Sequence, residues 1–268
     1  MFKLRNKNQE IKKQKLKKQK IKQQQELKKN IIKYENMIND KNNNRLIDLA
    51  NKYNSDKGTL YKCAHNYAII YEEIIKKILY NYISNKNPNK IDLLEIGLNR
   101  DDSLNIPSLM MWNEYFYKNV NITGFDINND FLNFKNLYKN IHIIIGDQQV
   151  ESDLKKLQYK KYDIIIDDGY HASKHQQISF KKLWHNIKSN GYYIIEDLHF
   201  QPVEEYCLKT KKLFENWKNN NWIDSEYISN EEIQYFKNTI ESINFYDSQS
   251  QLWSEDSIKN SFVYIKKK

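Results

Sequence analysis

Five short runs of β-branched and apolar residues, each closing on an acid or a glycine, constrain this chain more than anything else in it. They are Ile91-Asp92-Leu93-Leu94-Glu95-Ile96-Gly97, Asn121-Ile122-Thr123-Gly124-Phe125-Asp126-Ile127, Ile141-His142-Ile143-Ile144-Ile145-Gly146-Asp147, Tyr162-Asp163-Ile164-Ile165-Ile166-Asp167-Asp168-Gly169 and Gly191-Tyr192-Tyr193-Ile194-Ile195-Glu196-Asp197. Near-continuous apolar strands are buried on both faces, so the sheet is mostly parallel and covered by helices. Leu109 to Tyr117, Phe131 to Tyr138 and Ser173 to Ile187 supply helical spacers, and 65–82 carries apolar residues at helical spacing. After helical segments following Pro202 and Ser229, the runs Ser242–Asp247 and Ser261–Ile265 predict an antiparallel hairpin at one sheet edge. The fold class expected is α/β: a Rossmann-like, mostly parallel seven-stranded sheet ending in that hairpin, over 46–268.

Residues 1–45 differ in composition. They are rich in Lys, Gln and Asn, and the apolar residues Leu4, Ile11, Leu16, Ile21, Leu27 and Ile31 keep neither a heptad nor a 3.6 period. The expectation is a basic low-complexity tail, disordered or helical, that holds most of the excess of 43 Lys and Arg over 34 Asp and Glu. No leader-like or 18-residue apolar run occurs, and Cys63 and Cys207 stand far apart without metal-type spacing. A soluble, cytoplasmic protein without a membrane span is expected. Self-association into a homo-oligomer stays open.

Ligands of open parallel sheets bind outside the carboxyl ends of the strands. Here all five ends bear carboxylates: Glu95, Asp126, Asp147, Asp167 with Asp168, and Glu196 with Asp197. Such a set calls for a ligand with hydroxyls, a cation, or both. Glycine is scarce, at 6 in the chain, yet Gly97, Gly146 and Gly169 close strands, where close backbone approach is required. Asp126 suits ribose hydroxyls, as an acid ending the second strand does in dinucleotide folds. Asp168, Glu196 and Asp197 on adjacent strand ends would repel without a cation, and an oxygen-only set suits Mg²⁺. His171, just beyond Asp168, is the natural general base. His175 and His199 are the alternatives, whereas Asp167 points to the opposite face and reads as structural.

The order L-L-E-I-G, G-F-D-I, G-D-Q, I-I-D-D-G-Y-H and I-I-E-D-L resembles the class I S-adenosylmethionine-dependent methyltransferases. More narrowly, it is similar to the magnesium-dependent macrolide-sugar O-methyltransferases of the mycinamicin and macrocin type. Ser55-Asp56-Lys57-Gly58, His65-Asn66-Tyr67, Tyr71-Glu72 and Ile243–Ser248 extend the likeness over roughly 50–265. The family places further glycines after the first strand, where this chain reads Leu98-Asn99-Arg100-Asp101-Asp102-Ser103. The resemblance implies S-adenosylmethionine and Mg²⁺ as cofactors. It places Glu95 and Gly97 by the amino acid part of the former and Asp147 with Gln148 near its adenine, and has His65 and Tyr67 close over it. The implied reaction is methylation of a sugar hydroxyl on a glycan, glycoside or nucleotide sugar, with Mg²⁺ chelating a vicinal diol. Two rival readings remain: a nucleic-acid methyltransferase, motivated by the basic chain with 20 Tyr, and a non-catalytic S-adenosylmethionine-binding protein.

Overall fold

The computed structural model describes residues 2–40, 44–61, 64–98, 105–135, 137–200, 206–221, 223–248 and 258–268. The run after the first strand in which the family carries its glycines lies largely outside them, as do Cys63 and the residues around Pro202. The chain divides into a smaller unit, residues 1–41 and 76–90, and a larger one, residues 42–75 and 91–268.

In the smaller unit, α1 (Phe2–Ile38) is one 37-residue helix. Its central lysines and glutamines are exposed, as the missing apolar period requires. The last turns behave differently. Asn30 Nδ2 donates to Pro88 O at 2.7 Å, Tyr34 OH donates to Asn89 O at 2.6 Å, and Tyr34 meets Tyr82 edge-on at 5.7 Å. Here the low-complexity segment ends in a packed helix terminus, where Asn30 and Tyr34 supply hydrogen bonds and Tyr34 and Met37 are buried.

The larger unit is built on β1 (Ile91–Ile96), β2 (Val120–Asp126), β3 (Ile141–Ile145), β4 (Tyr162–Asp167), β5 (Ile187–Ile195), β6 (Ile240–Ser248) and β7 (Ile258–Lys267). They form one sheet in the order β3-β2-β1-β4-β5-β7-β6. The first five strands are parallel, and β7 runs antiparallel to both β5 and β6. The seven-stranded, mostly parallel sheet with an antiparallel carboxy-terminal pair is thus the one expected. Strand order reverses between β1 and β4, which places the switch-point crevice at Gly97 and Asp168.

Helices α2 (Arg45–Lys52), α3 (Ala68–Ser84), α4 (Pro107–Tyr115), α5 (Glu151–Leu154), α6 (Ser173–Leu183), α7 (Thr210–Asn220) and α8 (Asn230–Thr239) complete the chain. One core joins Leu94, Ile96 and Ile165 of the sheet to α6, α7 and α8. Phe180 is its hub, with ring centroids 5.1–5.4 Å from Trp184, Tyr193, Phe214 and Phe236. Strand alternation sends Glu95 to the other face, beside Tyr71 and Trp112, whose rings lie 5.0 Å apart. The spacer expected as a helix over Phe131–Tyr138 is instead a 3₁₀ turn at Asn129–Phe134. The Asn128 side chain accepts from Asp130 N at 2.9 Å and sets a tight turn that its Asn- and Lys-rich sequence does not prolong.

Candidate functional site: a carboxylate and histidine crevice at the strand ends

A cavity of about 850 Å³ opens at the carboxyl ends of β1, β2 and β4, where Gly97, Asp126, Asp147, Gln148, Asp168 and His171 all reach its wall. Gly97 is irreplaceable on geometry. Its φ is +83°, and a Cβ there would lie 2.0 Å from the carbonyl oxygen of Asp168, so only glycine lets β1 and β4 exit side by side. Asp126 is aimed by backbone: Oδ2 accepts from Leu98 N at 2.9 Å and Oδ1 from Asn128 N at 2.8 Å. Both oxygens keep lone pairs for further donors. Gln148 bridges the loops, donating through Nε2 to Asp167 Oδ1 at 2.6 Å while Oε1 accepts from Tyr170 N at 3.3 Å. Asp167 also accepts from Tyr193 OH at 3.3 Å, and burial pushes its carboxyl up to about 6. It is structural, as expected.

Lys57 is the residue that reasoning from the sequence passes over. It is 1% exposed, and its ammonium lies 2.6 Å from Asp168 Oδ2, 3.1 Å from Glu196 Oε1 and 3.4 Å from Glu95 Oε1. Burial alone would lower its pKa, but the charges of Asp168, Glu196 and Glu95 override it and hold the ammonium well above its ordinary value. The loop that delivers Lys57 is stitched backbone to backbone: His65 N donates to Asp56 O at 2.7 Å, Asn66 N to Gly58 O at 2.9 Å and Ala68 N to Lys57 O at 2.8 Å. The hints in the sequence are a lysine beside one of six glycines, ahead of a long helix, and the place of Ser55-Asp56-Lys57-Gly58 in the family resemblance.

This ammonium redistributes the expected roles. Glu196 is buried, hydrogen-bonded to Tyr71 OH and paired with Lys57; burial, with the Asp168 charge next, raises its pKa well above the usual carboxylate value. It stands behind the crevice and outside the convergent metal-type groups among the described residues. Glu95 does not line the cavity either. It is fully buried, accepts from Trp112 Nε1 at 2.9 Å, and burial lifts its carboxyl to about 7 against the pull of Lys57. His65 and Tyr67, expected to close over the cofactor, also lie off the cavity wall. Tyr67 OH donates to Asp197 Oδ1 at 2.9 Å, and the His65 ring stacks on Tyr67 at 5.2 Å. The resemblance implies that both close over the cofactor, but here, flanking the left-handed turn at Asn66 with φ of 57°, both side chains face Asp197.

The groups that do converge are Asp168, His171 and Asp197, whose ligand atoms lie within 4.8 Å of one another. His171 Nε2 is 3.7 Å from Asp197 Oδ2. Both residues hold left-handed backbones, with φ of 63° and 53°, an uncommon conformation for a non-glycine residue that His and Asp adopt more readily than most. The donor set fits both implied groups. Two converging carboxylates suit a hard cation, and a glycine-floored cavity with an aimed carboxylate at Asp126 suits a ribose-bearing cofactor.

No family model matches the chain. It is 30% identical over 152 residues to the 8-demethyl-8-(2-methoxy-alpha-L-rhamnosyl)-tetracenomycin-C 3'-O-methyltransferase of Streptomyces olivaceus, a match covering 56% of this chain and 36% of that protein. It is 33% identical over 113 residues to the demethylmacrocin O-methyltransferase of Streptomyces fradiae (41% and 28% covered). With the mycinamicin VI 2''-O-methyltransferase of Micromonospora griseorubida it shares 34% over 113 residues (41% and 27% covered). The matched region is thus about a third of the length of these relatives. Among solved structures, the MycE methyltransferase in complex with Mg, SAH and mycinamycin VI superposes with a TM-score of 0.59 at 22% identity, covering 83% of this chain and 53% of that one. This chain therefore has the class I S-adenosylmethionine-dependent methyltransferase fold, and its curated relatives are named as O-methyltransferases of macrocin, mycinamicin and rhamnosyl-tetracenomycin.

Proposed function

We propose that the chain is an S-adenosylmethionine-dependent O-methyltransferase that acts on a hydroxyl of a sugar-containing small molecule or glycan, with Mg²⁺. The observation that carries this reading is one cavity with Asp126 on its wall and Asp168 and His171 on the same wall at the β1–β4 switch point. Bound S-adenosylmethionine supplies an electrophilic methyl group on a sulfonium. Asp126 holds the ribose hydroxyls, Gly97 leaves room for the rest of the cofactor, and Asp147 with Gln148 borders the adenine side. Asp168 and Asp197 are the carboxylates placed to hold Mg²⁺, with Lys57, itself paired to Glu196, fixing Asp168 from behind. The ion supplies positive charge that orients neighbouring sugar hydroxyls and makes them more acidic.

His171 Nε2 takes the proton of the attacking hydroxyl, and the Asp197 carboxylate at 3.7 Å stabilises the imidazolium that forms. The displacement is in line and its leaving group needs no acid, so one base and good alignment suffice. The match to sugar O-methyltransferases supports this class of acceptor over nucleic acid. Among the described residues no helix is long and apolar enough to cross a membrane. The test is calorimetric titration with S-adenosylmethionine, followed by turnover on a panel of vicinal-diol glycosides in EDTA and after Mg²⁺ is restored. Cofactor binding with Mg²⁺-dependent methylation is expected. Absence of cofactor binding, or full turnover in EDTA, would overturn the reading or its metal.

A further inference from the structure

Asp197 has two oxygens, and they face different histidines. Oδ2 lies 3.7 Å from His171 Nε2, within the crevice described above. Oδ1 lies 3.6 Å from His65 Nε2, on the other side. That second side is completed by His199: the ligand atoms of His65, Asp197 and His199 all lie within 4.8 Å of one another, and the His65 and His199 rings are 5.5 Å apart at 61°. At 3.6 Å the His65–Asp197 pair is too long for a hydrogen bond. Two ligands about 2.0–2.1 Å from a tetrahedral ion are separated by roughly 3.3–3.5 Å, close to what is seen here.

The arms carrying these donors are pinned independently of any ligand. The His65 backbone is tied at both ends, its N–H donating to Asp56 O at 2.7 Å and its carbonyl accepting from Ser248 Oγ at 3.0 Å. The Asp197–His199 turn is closed by Phe200 N donating to Asp197 O at 2.9 Å and anchored by Leu198 N donating to Ser261 O at 2.8 Å. Tyr67 OH, donating to Asp197 Oδ1 at 2.9 Å, orients the carboxylate from outside, as supporting partners of metal ligands do.

We propose that His65, His199 and Asp197 form a second, nitrogen-rich cation site, specific for a divalent transition ion of the zinc and cobalt type, with Asp197 shared between it and the oxygen-rich pair. Two imidazoles and one carboxylate select against Mg²⁺ and Ca²⁺, which favour all-oxygen shells, and suit zinc-like ions. Three protein donors leave a fourth position open to water or to a substrate oxygen. The site clamps the loop after β5 to the segment that delivers Lys57, so its occupancy stiffens the back of the crevice. It shares Asp197 with the proposed Mg²⁺ position, and its test reads metal binding rather than activity, so that its failure and the failure of the methyltransferase reading are distinguishable.

The full chain, stripped with chelator, is titrated with Co²⁺ in excess Mg²⁺ and followed by visible d–d absorption. One Co²⁺ per chain with the intense band of a four- or five-coordinate ion is expected, displaced by Zn²⁺. His199→Ala and His199→Gln should weaken Co²⁺ binding at least tenfold with far-UV circular dichroism unchanged, whereas Asp168→Asn should retain it. X-ray absorption on the zinc-loaded, unmodified chain gives a readout that needs no variant, and two imidazole nitrogens in the shell are expected. Absence of a band, a band that survives both His199 substitutions, a band lost only in Asp168→Asn, or an all-oxygen shell would each overturn the site.

Discussion

Replacing Lys57 by methionine tests the electrostatic core of the crevice. The substitution keeps the aliphatic stem and removes one positive charge that three carboxyls face at 2.6–3.4 Å in the interior. Breaking a buried pair by removing one partner costs about 3–5 kcal/mol, because the remaining charge is left without compensation. Glu95 and Glu196 can relieve part of that by taking up protons, so the loss depends on pH. Burial already raises Glu95 to about 7 with Lys57 pulling it down; without Lys57 it rises further. A carboxyl whose folded pKa is raised contributes stability that is fully present below its unfolded pKa and lost as pH rises through the folded value. In the native chain the Glu95 share of that loss is complete soon after pH 7, whereas in the variant it continues upward. The gap between the two proteins therefore widens above pH 7, by about 1.4 kcal/mol per pH unit for each proton the variant retains. Urea unfolding followed by tryptophan fluorescence at pH 6, 7, 8 and 9 measures it. A gap that stays constant across that range, or one below about 1 kcal/mol at pH 8, would refute the reasoning.

The remaining predictions are simpler. Gly97→Ala, forced to place a Cβ 2.0 Å from Asp168 O at φ +83°, should lower stability by more than about 1 kcal/mol and abolish S-adenosylmethionine binding, read by thermal melts and calorimetry. Asp126→Ala should cost about 1.5–3 kcal/mol in cofactor affinity without moving the melting temperature by more than a few degrees, since its side chain holds only loop amides. His171→Ala should lower kcat by roughly 10²- to 10⁴-fold with KM little changed, in steady-state assays on a vicinal-diol glycoside. Phe180→Ala, emptying the hub of four aromatic contacts, should cost about 3–5 kcal/mol in urea unfolding.

The five parallel strands were legible because burial on both faces leaves a mark in the sequence that needs no partner to decode. The acids and glycines that end them were legible for the same reason, since the chain must turn there. Partners that come from far away left no such mark. Lys57 lies 139 residues from Glu196 and 111 from Asp168, and no local pattern records that the three meet. That distance misled the expectation of a bare carboxylate trio, because repulsion among Asp168, Glu196 and Asp197 seemed to demand a metal when an ammonium already answered part of it. His65 and Tyr67 follow from the family resemblance as cofactor-closing residues, yet across the left-handed Asn66 they lie against Asp197 and off the cavity wall, a placement no local pattern records. The packed end of α1 escaped notice because its anchors are Asn30 and Tyr34, residues that a composition biased toward Asn and Tyr hides among many equals.

β7 follows β6 in chain order, yet it inserts beside β5, between that strand and β6. Its Ser261 carbonyl receives Leu198 N at 2.8 Å and Tyr67 OH at 3.4 Å, so both sides of the Asp197 turn rest on it. During synthesis the parallel strands β1 to β5 emerge first and are left with β5 as an unpaired, apolar edge. Until β7 arrives the Asp197 turn lacks the backbone carbonyl that anchors it. The nascent chain thus passes through a state that is sheet-rich, open-edged and without a finished site, the kind of species that pairs wrongly with its neighbours. Expression at low temperature or with chaperones should favour the folded form for this reason, and substitutions that weaken β7 should show up as aggregation.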